Sequence, residues 1–192
     1  MYKIFFYVYI IYYKMIKKKL PGLSTLPILP ILAIVIVGLV VYFLFFKKKN
    51  IRDRLSEKTA KAMVLSCMDF RFVNDKVDFL NNIGYKDNYS KFVLAGSSLG
   101  YNQDDFPEWG KSFDKHIELA MDLHKIDEVI VVDHMDCGAY RILYDNQSMS
   151  KDEEYKLHQK NLNKFKSLIH KKFPSLKVTM LLINIDGTFS EF

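Results

Sequence analysis

Two short apolar runs, each closely followed by a cysteine motif, place the strongest constraint on how this chain can fold. The first run, 62–65, precedes Cys67, and the second, 129–132, leads into His134 and Cys137. Apolar runs of this length are typical of strands that are buried on both faces of a parallel sheet. In open α/β sheets, functional side chains gather beyond the carboxyl ends of the strands. We therefore expect the two motifs to meet at one edge of a sheet.

The rest of the C-terminal part alternates short apolar runs with longer segments of helical periodicity. Alternation of this kind predicts an α/β domain, here residues 61–192, with a mostly parallel central sheet flanked by helices. The predicted strands are 62–66, 91–95, 129–133 and 178–185, and the predicted helices are 74–83, 111–124 and 151–172.

The spacing of apolar residues indicates which side of the last predicted helix faces the core. Two histidines on this basic helix, His158 and His170, are expected to be solvated. Trp109, between a proline and a glycine, is expected to pack a loop over the core, and the alternative is a position at the border of the pocket. The residues of the last helix expected to point inward are Tyr155, Leu162, Phe165 and Ile169.

The net charge of +6 is divided unevenly along the 192 residues. Residues 1–61 carry 12 basic and 2 acidic side chains, a net of +10, whereas residues 62–192 carry 16 basic and 20 acidic ones, a net of −4. The predicted domain therefore offers no charge-based reason to expect nucleic-acid binding. Basic residues beside apolar segments instead favour contact with anionic lipid headgroups.

Residues 26–46 contain no charged side chain and predict a transmembrane helix. At about 1.5 Å per residue, the segment spans about 30 Å, the thickness of a bilayer core. Its prolines lie in the first turns, where proline is tolerated, and three lysines from Lys47 onward end it. The predicted organisation is an arm over 1–25, this single span, a basic linker over 47–60, and the α/β domain.

The orientation of the predicted span is only weakly biased by charge. Basic residues are slightly more numerous after the span than before it, which favours a cytosolic C-terminal domain. Free thiolates, if they bind a metal, also favour a reducing compartment. We therefore expect a single-pass membrane protein whose C-terminal domain is cytosolic.

The only two cysteines of the chain fall in the two motifs, together with a histidine. Two thiolates and one imidazole make three zinc ligands and leave a fourth position open for water. A Cys67–Cys137 disulfide is the alternative. Asp69 and Arg71 follow Cys67 at alternate positions, so in extended chain the three side chains point to one side and the last two can pair.

These motifs resemble those of the β-class carbonic anhydrases. That family carries Cys-x-Asp-x-Arg after its first core strand and His-x-x-Cys-Gly after a later one. Ala95 and Gly96 stand where the family has Ala-Gly-Asn, and the resemblance covers roughly residues 60–190. The matching motif residues here are Cys67, Asp69, Arg71, His134, Cys137 and Gly138.

The resemblance implies one zinc ion per chain, bound by Cys67, His134 and Cys137, and hydration of carbon dioxide to bicarbonate by zinc-bound hydroxide. It also implies that Asp69 accepts a hydrogen bond from the hydroxide and that Arg71 holds Asp69. In some members the aspartate binds the zinc and closes the site, and the sequence leaves both states open. An α/β homodimer with sites near the subunit interface is likewise implied.

A non-enzymatic function is a second hypothesis: a membrane-tethered zinc-binding pseudoenzyme or scaffold without turnover. Three departures from the family pattern motivate it, namely Ser97 after Ala-Gly, the bulky Phe70, and Asp133 beside His134. A related possibility is hydrolysis of another small cumulated molecule, such as carbon disulfide, at the same zinc.

A serine hydrolase is a third hypothesis, because residues 96–100 also fit the G-x-S-x-G pattern of a nucleophile elbow. Ser98 would be the nucleophile, with a later histidine such as His158 or His170 as its base. This hypothesis leaves both cysteine motifs unexplained. A glycine- and serine-containing turn beside the zinc cleft explains the same residues with fewer assumptions.

Overall fold

The computed structural model describes residues 58–192 and, before them, Val35 alone, which is helical and half exposed. The predicted arm over 1–25, the predicted membrane helix over 26–46 apart from Val35, and the linker up to residue 57 lie outside the described residues. Within the described part, no helix combines the length and apolarity needed to cross a bilayer.

Five strands form one sheet in the order β2-β1-β3-β4-β5. The first four strands run parallel, and β5 pairs antiparallel with β4 after a turn. The prediction of a mostly parallel central sheet flanked by helices is thus confirmed, although β5 was not predicted. The strands are β1 (Ala62–Ser66), β2 (Tyr89–Val93), β3 (Glu128–His134), β4 (Lys177–Ile183) and β5 (Phe189–Glu191).

The last long helix has the predicted bounds. Its start is fixed by a capping box that Ser150 and Glu153 form. The preceding long helix begins at Pro107, four residues before the predicted start, with the proline in its first turn, where the missing N–H costs nothing. The helices are α1 (Val73–Leu80), α2 (Ser98–Tyr101), α3 (Pro107–His124), α4 (Gly138–Leu143) and α5 (Lys151–Lys172).

Both faces of the sheet are covered, as the apolar runs predict. Every residue of β1 and β3 is buried. Helix α5 packs Leu162, Phe165 and Ile169 into the larger core cluster, as predicted, but Tyr155 is 40% exposed and its predicted inward position is wrong. The aromatic ring of Tyr155 instead lies near that of Phe192.

The order of the strands places the two cysteine motifs side by side. From β1 the chain crosses to β2 at one edge, whereas β3 pairs with the other side of β1 and continues to β4. Connections that leave two neighbouring strands in opposite directions open a crevice at their carboxyl ends. Cys67 follows β1 and Cys137 follows β3, so both lie at this crevice.

The segment from Gly96 to Gly100 is a tight turn into α2 that needs its glycines. Gly96 has a φ of +72°, and a Cβ on Gly100 would lie 2.3 Å from the carbonyl oxygen of Ala95. A side chain at position 100 would therefore displace the backbone. The G-x-S-x-G spacing in this chain is explained by the turn and the close approach of these segments.

Candidate metal centre and active-site cleft

The three predicted zinc ligands converge in the crevice. The ligand atoms of Cys67, His134 and Cys137 all lie within 4.8 Å of one another, and all three residues are buried. The two Sγ atoms are 4.0 Å apart and both cysteines are free, so the structure does not contain the alternative disulfide. Asp69, which could have been a fourth ligand, is not part of this cluster.

The His134 imidazole is arranged as a metal ligand should be. Its Nδ1 lies 2.9 Å from the carbonyl oxygen of Met135, a contact that places the ring proton on Nδ1 and leaves Nε2 with a free lone pair. Nε2 is buried and has no hydrogen-bond partner among the described residues. A buried polar atom without a partner is costly, so this geometry fits a metal at Nε2.

The two thiols share one hydrogen bond, which separates their acidities. The bond from the Cys137 thiol, opposed by burial and assisted by His134, lowers the pKa of Cys67 to about 4. The same bond, together with burial, raises the pKa of Cys137. The shared hydrogen bond thus favours the thiolate on Cys67 over that on Cys137, and metal binding would release the thiol protons that remain.

Asp69 and Arg71 form a fork-to-fork ion pair beside the cluster. Arg71 donates from Nε to Asp69 Oδ1 at 3.0 Å and from Nη2 to Oδ2 at 2.8 Å. These hydrogen bonds lower the pKa of Asp69 to about 2, against the effect of burial. Asp69 Oδ2 also lies 3.8 Å from His134 Nε2. The structure thus shows Asp69 paired with Arg71, the partner that the resemblance implies for it.

The carboxylate of Asp133, the residue before His134, lies at the centre of a buried hydrogen-bond network. It accepts hydrogen bonds from the Ser98 hydroxyl at 2.6 Å and from the Tyr140 hydroxyl at 2.8 Å, and it lies 2.9 Å from His158 Nδ1. The carboxylate is entirely buried in this network. It therefore anchors helices α2, α4 and α5 to the end of β3.

The prediction that His158 is solvated is wrong, because its side chain is completely buried. Burial lowers the pKa of His158, but the carboxylates of Asp133 and Glu154 outweigh that effect and the net shift is upward. Glu154 Oε1 lies 3.7 Å from His158 Nε2 and accepts a hydrogen bond from the backbone N–H of Cys137 at 2.7 Å. The buried network thus reaches the loop that carries a predicted metal ligand.

The same contacts exclude the serine hydrolase hypothesis. Ser98 is fully buried, and its hydroxyl donates to Asp133 instead of to a histidine. In a catalytic triad the histidine lies between serine and aspartate, whereas here the aspartate lies between Ser98 and His158. His170, the other candidate base, is on the exposed face of α5.

A cleft of about 400 Å³ opens above the cluster. Trp109 borders this cleft and stacks on Phe106, with ring centroids 4.8 Å apart, so of its two expected positions the structure shows the one at the cleft wall. Apart from Asp69, the lining is almost entirely apolar: Cys67, Met68, Ala95, Phe106, Trp109, Cys137, Gly138, Ala139, Ile142 and Leu143. Such a cleft suits a small, uncharged molecule.

Known proteins match this chain over most of the described domain. A family model described as "putative carbonic anhydrase" matches residues 57–191. Uncharacterised proteins of Rickettsia conorii and Rickettsia bellii are each 35% identical over 133 residues, which cover 69% of this chain and 72% and 81% of those proteins, respectively.

Solved structures show the same fold at low sequence identity. A tetrameric β-carbonic anhydrase of Sordaria macrospora superposes with a TM-score of 0.53 at 11% identity, covering 83% of this chain and 94% of that one. A β-carbonic anhydrase of Aspergillus fumigatus gives 0.52 at 12% identity, covering 85% and 89%.

Proposed function

Because the chain belongs to the carbonic anhydrase family that matches residues 57–191, we propose that it catalyses the reversible hydration of carbon dioxide to bicarbonate with zinc as its cofactor. One observation carries the proposal. The buried Nε2 of His134 has no hydrogen-bond partner among the described residues, and it lies with two free thiols beneath an apolar cleft. This donor set fits zinc, and three protein ligands leave a position for substrate chemistry.

Cys67, His134 and Cys137 would hold the zinc. When bound in such a site, zinc lowers the pKa of a water molecule to about 7 and so supplies hydroxide at neutral pH. The Met135 carbonyl fixes the orientation of the imidazole, and Glu154 fixes the backbone of Cys137. The ligands are therefore held in place before a metal arrives, which reduces the cost of binding it.

Asp69 would orient the reacting water. Its carboxylate is ionised over the whole physiological range, because Arg71 holds its pKa at about 2, so it can only accept hydrogen bonds there. An acceptor fixed by a bidentate partner allows the water one orientation toward the substrate. The apolar lining of the cleft would admit carbon dioxide, an uncharged molecule, without the loss of protein hydrogen bonds to water.

We also propose a homodimer, supported by exposed apolar side chains: Met68 and Ile142 line the cleft, and Phe70 is close to Met68 in sequence. Phe70 is 84% exposed, Ile142 71% and Met68 69%. Large apolar side chains exposed together are typical of a protein–protein interaction surface. Membrane attachment through residues 26–46, in contact with lipid and with a cytosolic domain, remains part of the proposal on the basis of the sequence alone.

Replacing Asp69 with asparagine tests the proposed mechanism. The substitution preserves shape but removes the charge that Arg71 binds, so we expect zinc content to stay the same while hydration slows by about 10²-fold or more. Stopped-flow measurement of carbon dioxide hydration with a pH indicator, beside metal analysis of the same samples, would show both effects. Asp104→Asn, at an exposed loop carboxylate, is the matched control.

Two results would count against this mechanism. An Asp69→Asn variant as fast as the wild-type protein would remove Asp69 from it. Wild-type protein that binds zinc but does not hydrate carbon dioxide would favour the tethered pseudoenzyme or another small cumulated substrate.

A further inference from the structure

Asp136 joins the two cysteine motifs, although the sequence pattern gives it no role. It lies between the ligands His134 and Cys137, and it accepts two hydrogen bonds from Arg71 of the other motif. Arg71 Nη1 donates to Asp136 Oδ2 at 2.8 Å, and Arg71 Nη2 donates to the Asp136 carbonyl oxygen at 2.9 Å. The second carboxylate oxygen, Oδ1, accepts a hydrogen bond from Arg141 Nη2 at 2.6 Å.

The guanidinium of Arg71 is thereby bound along two of its edges. Its Nε–Nη2 edge binds Asp69, and its Nη1–Nη2 edge binds Asp136. The side chain of Arg71 is 43% exposed, so burial alone does not fix it. A guanidinium that is planar and bound along two edges has one orientation available to it, which Asp69 then shares.

The backbone at Asp136 supports a dedicated role. Its φ of 58° lies in the left-handed region, which residues other than glycine rarely adopt and which aspartate and asparagine tolerate best. Glycine would be the easiest residue at such a position. The presence of aspartate there brings a carboxylate to Arg71 and Arg141 that glycine could not supply.

We propose that Asp136 is a positioning residue that holds Arg71, and through Arg71 keeps Asp69 turned away from the metal ligands. The inference rests on the proposed zinc site. Asp69 Oδ2 is only 3.8 Å from His134 Nε2, so a small rotation would bring the carboxylate to the ligand cluster. Arg71 opposes that rotation by its fork to Asp69, and Asp136 and Arg141 keep Arg71 in place to do so.

Loss of Asp136 would thus favour a closed site in which Asp69 takes the position left for substrate chemistry. This effect can be measured without turnover. Cobalt(II) substitutes for zinc in thiolate and imidazole sites and absorbs visible light according to its ligands. An anion such as thiocyanate can bind only where the fourth position is free, so its affinity reports how often Asp69 occupies that position.

The experiment uses full-length protein loaded with cobalt(II) and titrated with thiocyanate. The variants are Asp136→Gly, which suits the left-handed backbone, and Asp136→Asn, which keeps the side-chain shape. We expect both to retain cobalt and to bind thiocyanate at least about fivefold more weakly than the wild-type protein, the lower end of coupling between linked sites. Asp145→Gly is the matched control, since Asp145 also has a positive φ, of 49°, and its thiocyanate affinity should equal that of the wild type.

A double variant separates positioning from general damage to the fold. If Asp136 acts through Asp69, then Asp69→Ala added to Asp136→Gly removes the competing carboxylate and restores thiocyanate binding to near the wild-type affinity. Unchanged affinity in both single variants, or weakened binding that Asp69→Ala does not restore, would overturn the inference. Failure of the wild-type protein to take up cobalt would refute the metal site itself, whereas lack of carbon dioxide hydration alone would refute only the proposed activity.

Discussion

Replacing Cys137 with serine is expected to abolish zinc retention and carbon dioxide hydration together. Serine is isosteric but its hydroxyl does not ionise near neutral pH, so the site would keep only Cys67 and His134 as ligands. Cys137 is 2% exposed, so the substitution acts inside the buried cluster and not at the surface. Metal analysis after gel filtration should fall from about one zinc per chain to nearly none, and stopped-flow hydration should fall to the uncatalysed rate.

A variant at the edge of the same cleft provides the control. Ile142 lines the cleft but is 71% exposed, so Ile142→Ser introduces the same hydroxyl without removing a ligand. This control should keep its zinc. The ligand assignment would be contradicted by a Cys137→Ser protein that retains zinc and hydrates carbon dioxide at the wild-type rate.

Replacing Asp133 with alanine is expected to destabilise the domain by roughly 3–5 kcal/mol, the usual cost of breaking a buried ion pair. The substitution leaves His158 buried without its main carboxylate partner, and it removes the acceptor of the Ser98 and Tyr140 hydroxyls. Urea unfolding in the presence of chelator and reductant would isolate this effect from metal binding. Asp104→Ala, at an exposed loop position, should change the free energy of unfolding by only about 0.5 kcal/mol.

The pH dependence of the Asp133 variant has a defined sign. The pKa of His158 is raised in the folded state, so its stabilisation is complete below its unfolded pKa of about 6.5 and disappears as the pH rises through the folded value. The pKa of Asp133 is lowered, so its contribution is present above about pH 4 and is lost in acid. The difference in the free energy of unfolding between wild type and Asp133→Ala should therefore be largest between about pH 4 and 6.5 and smaller at alkaline pH. A difference that grows with alkaline pH would contradict the proposed ion pair.

The sequence was sufficient to predict the parallel part of the sheet and the meeting of the two cysteine motifs, because both depend on local patterns. Apolar runs fixed the strands β1 and β3, and the parallel arrangement placed the residues after them at the same edge. The start of α5 has a local cause, because Ser150 and Glu153 form a capping box there. The family resemblance then supplied roles for residues that were already expected to lie together.

The buried network was missed because its members look like surface residues. Glu154 and His158 lie four residues apart on α5, and their stripe continues into Leu162, Phe165 and Ile169, all of which are buried. The signal was therefore present as two polar residues extending the apolar face of the helix. The many lysines of α5 predict a solvated helix, and this composition concealed the buried polar residues.

The hydrogen bonds between Arg71 and Asp136 could not have been predicted from the spacing of residues along the chain. These residues are 65 positions apart, and their contact depends on the side-by-side placement of β1 and β3 and on a left-handed residue between His134 and Cys137. No local pattern reports a positive φ at an aspartate. The exposure of Tyr155, which was predicted to face inward, likewise depends on how α5 is rotated against the sheet.

The most direct test of the central claim is exchange of ¹⁸O between carbon dioxide and water at chemical equilibrium, followed by mass spectrometry with full-length protein. This measurement reports reversible hydration itself and requires no pH change. The proposed function predicts rapid loss of label from carbon dioxide, abolished by removal of zinc and restored when zinc is returned. Protein that carries one zinc per chain but leaves the label at the uncatalysed rate would contradict it.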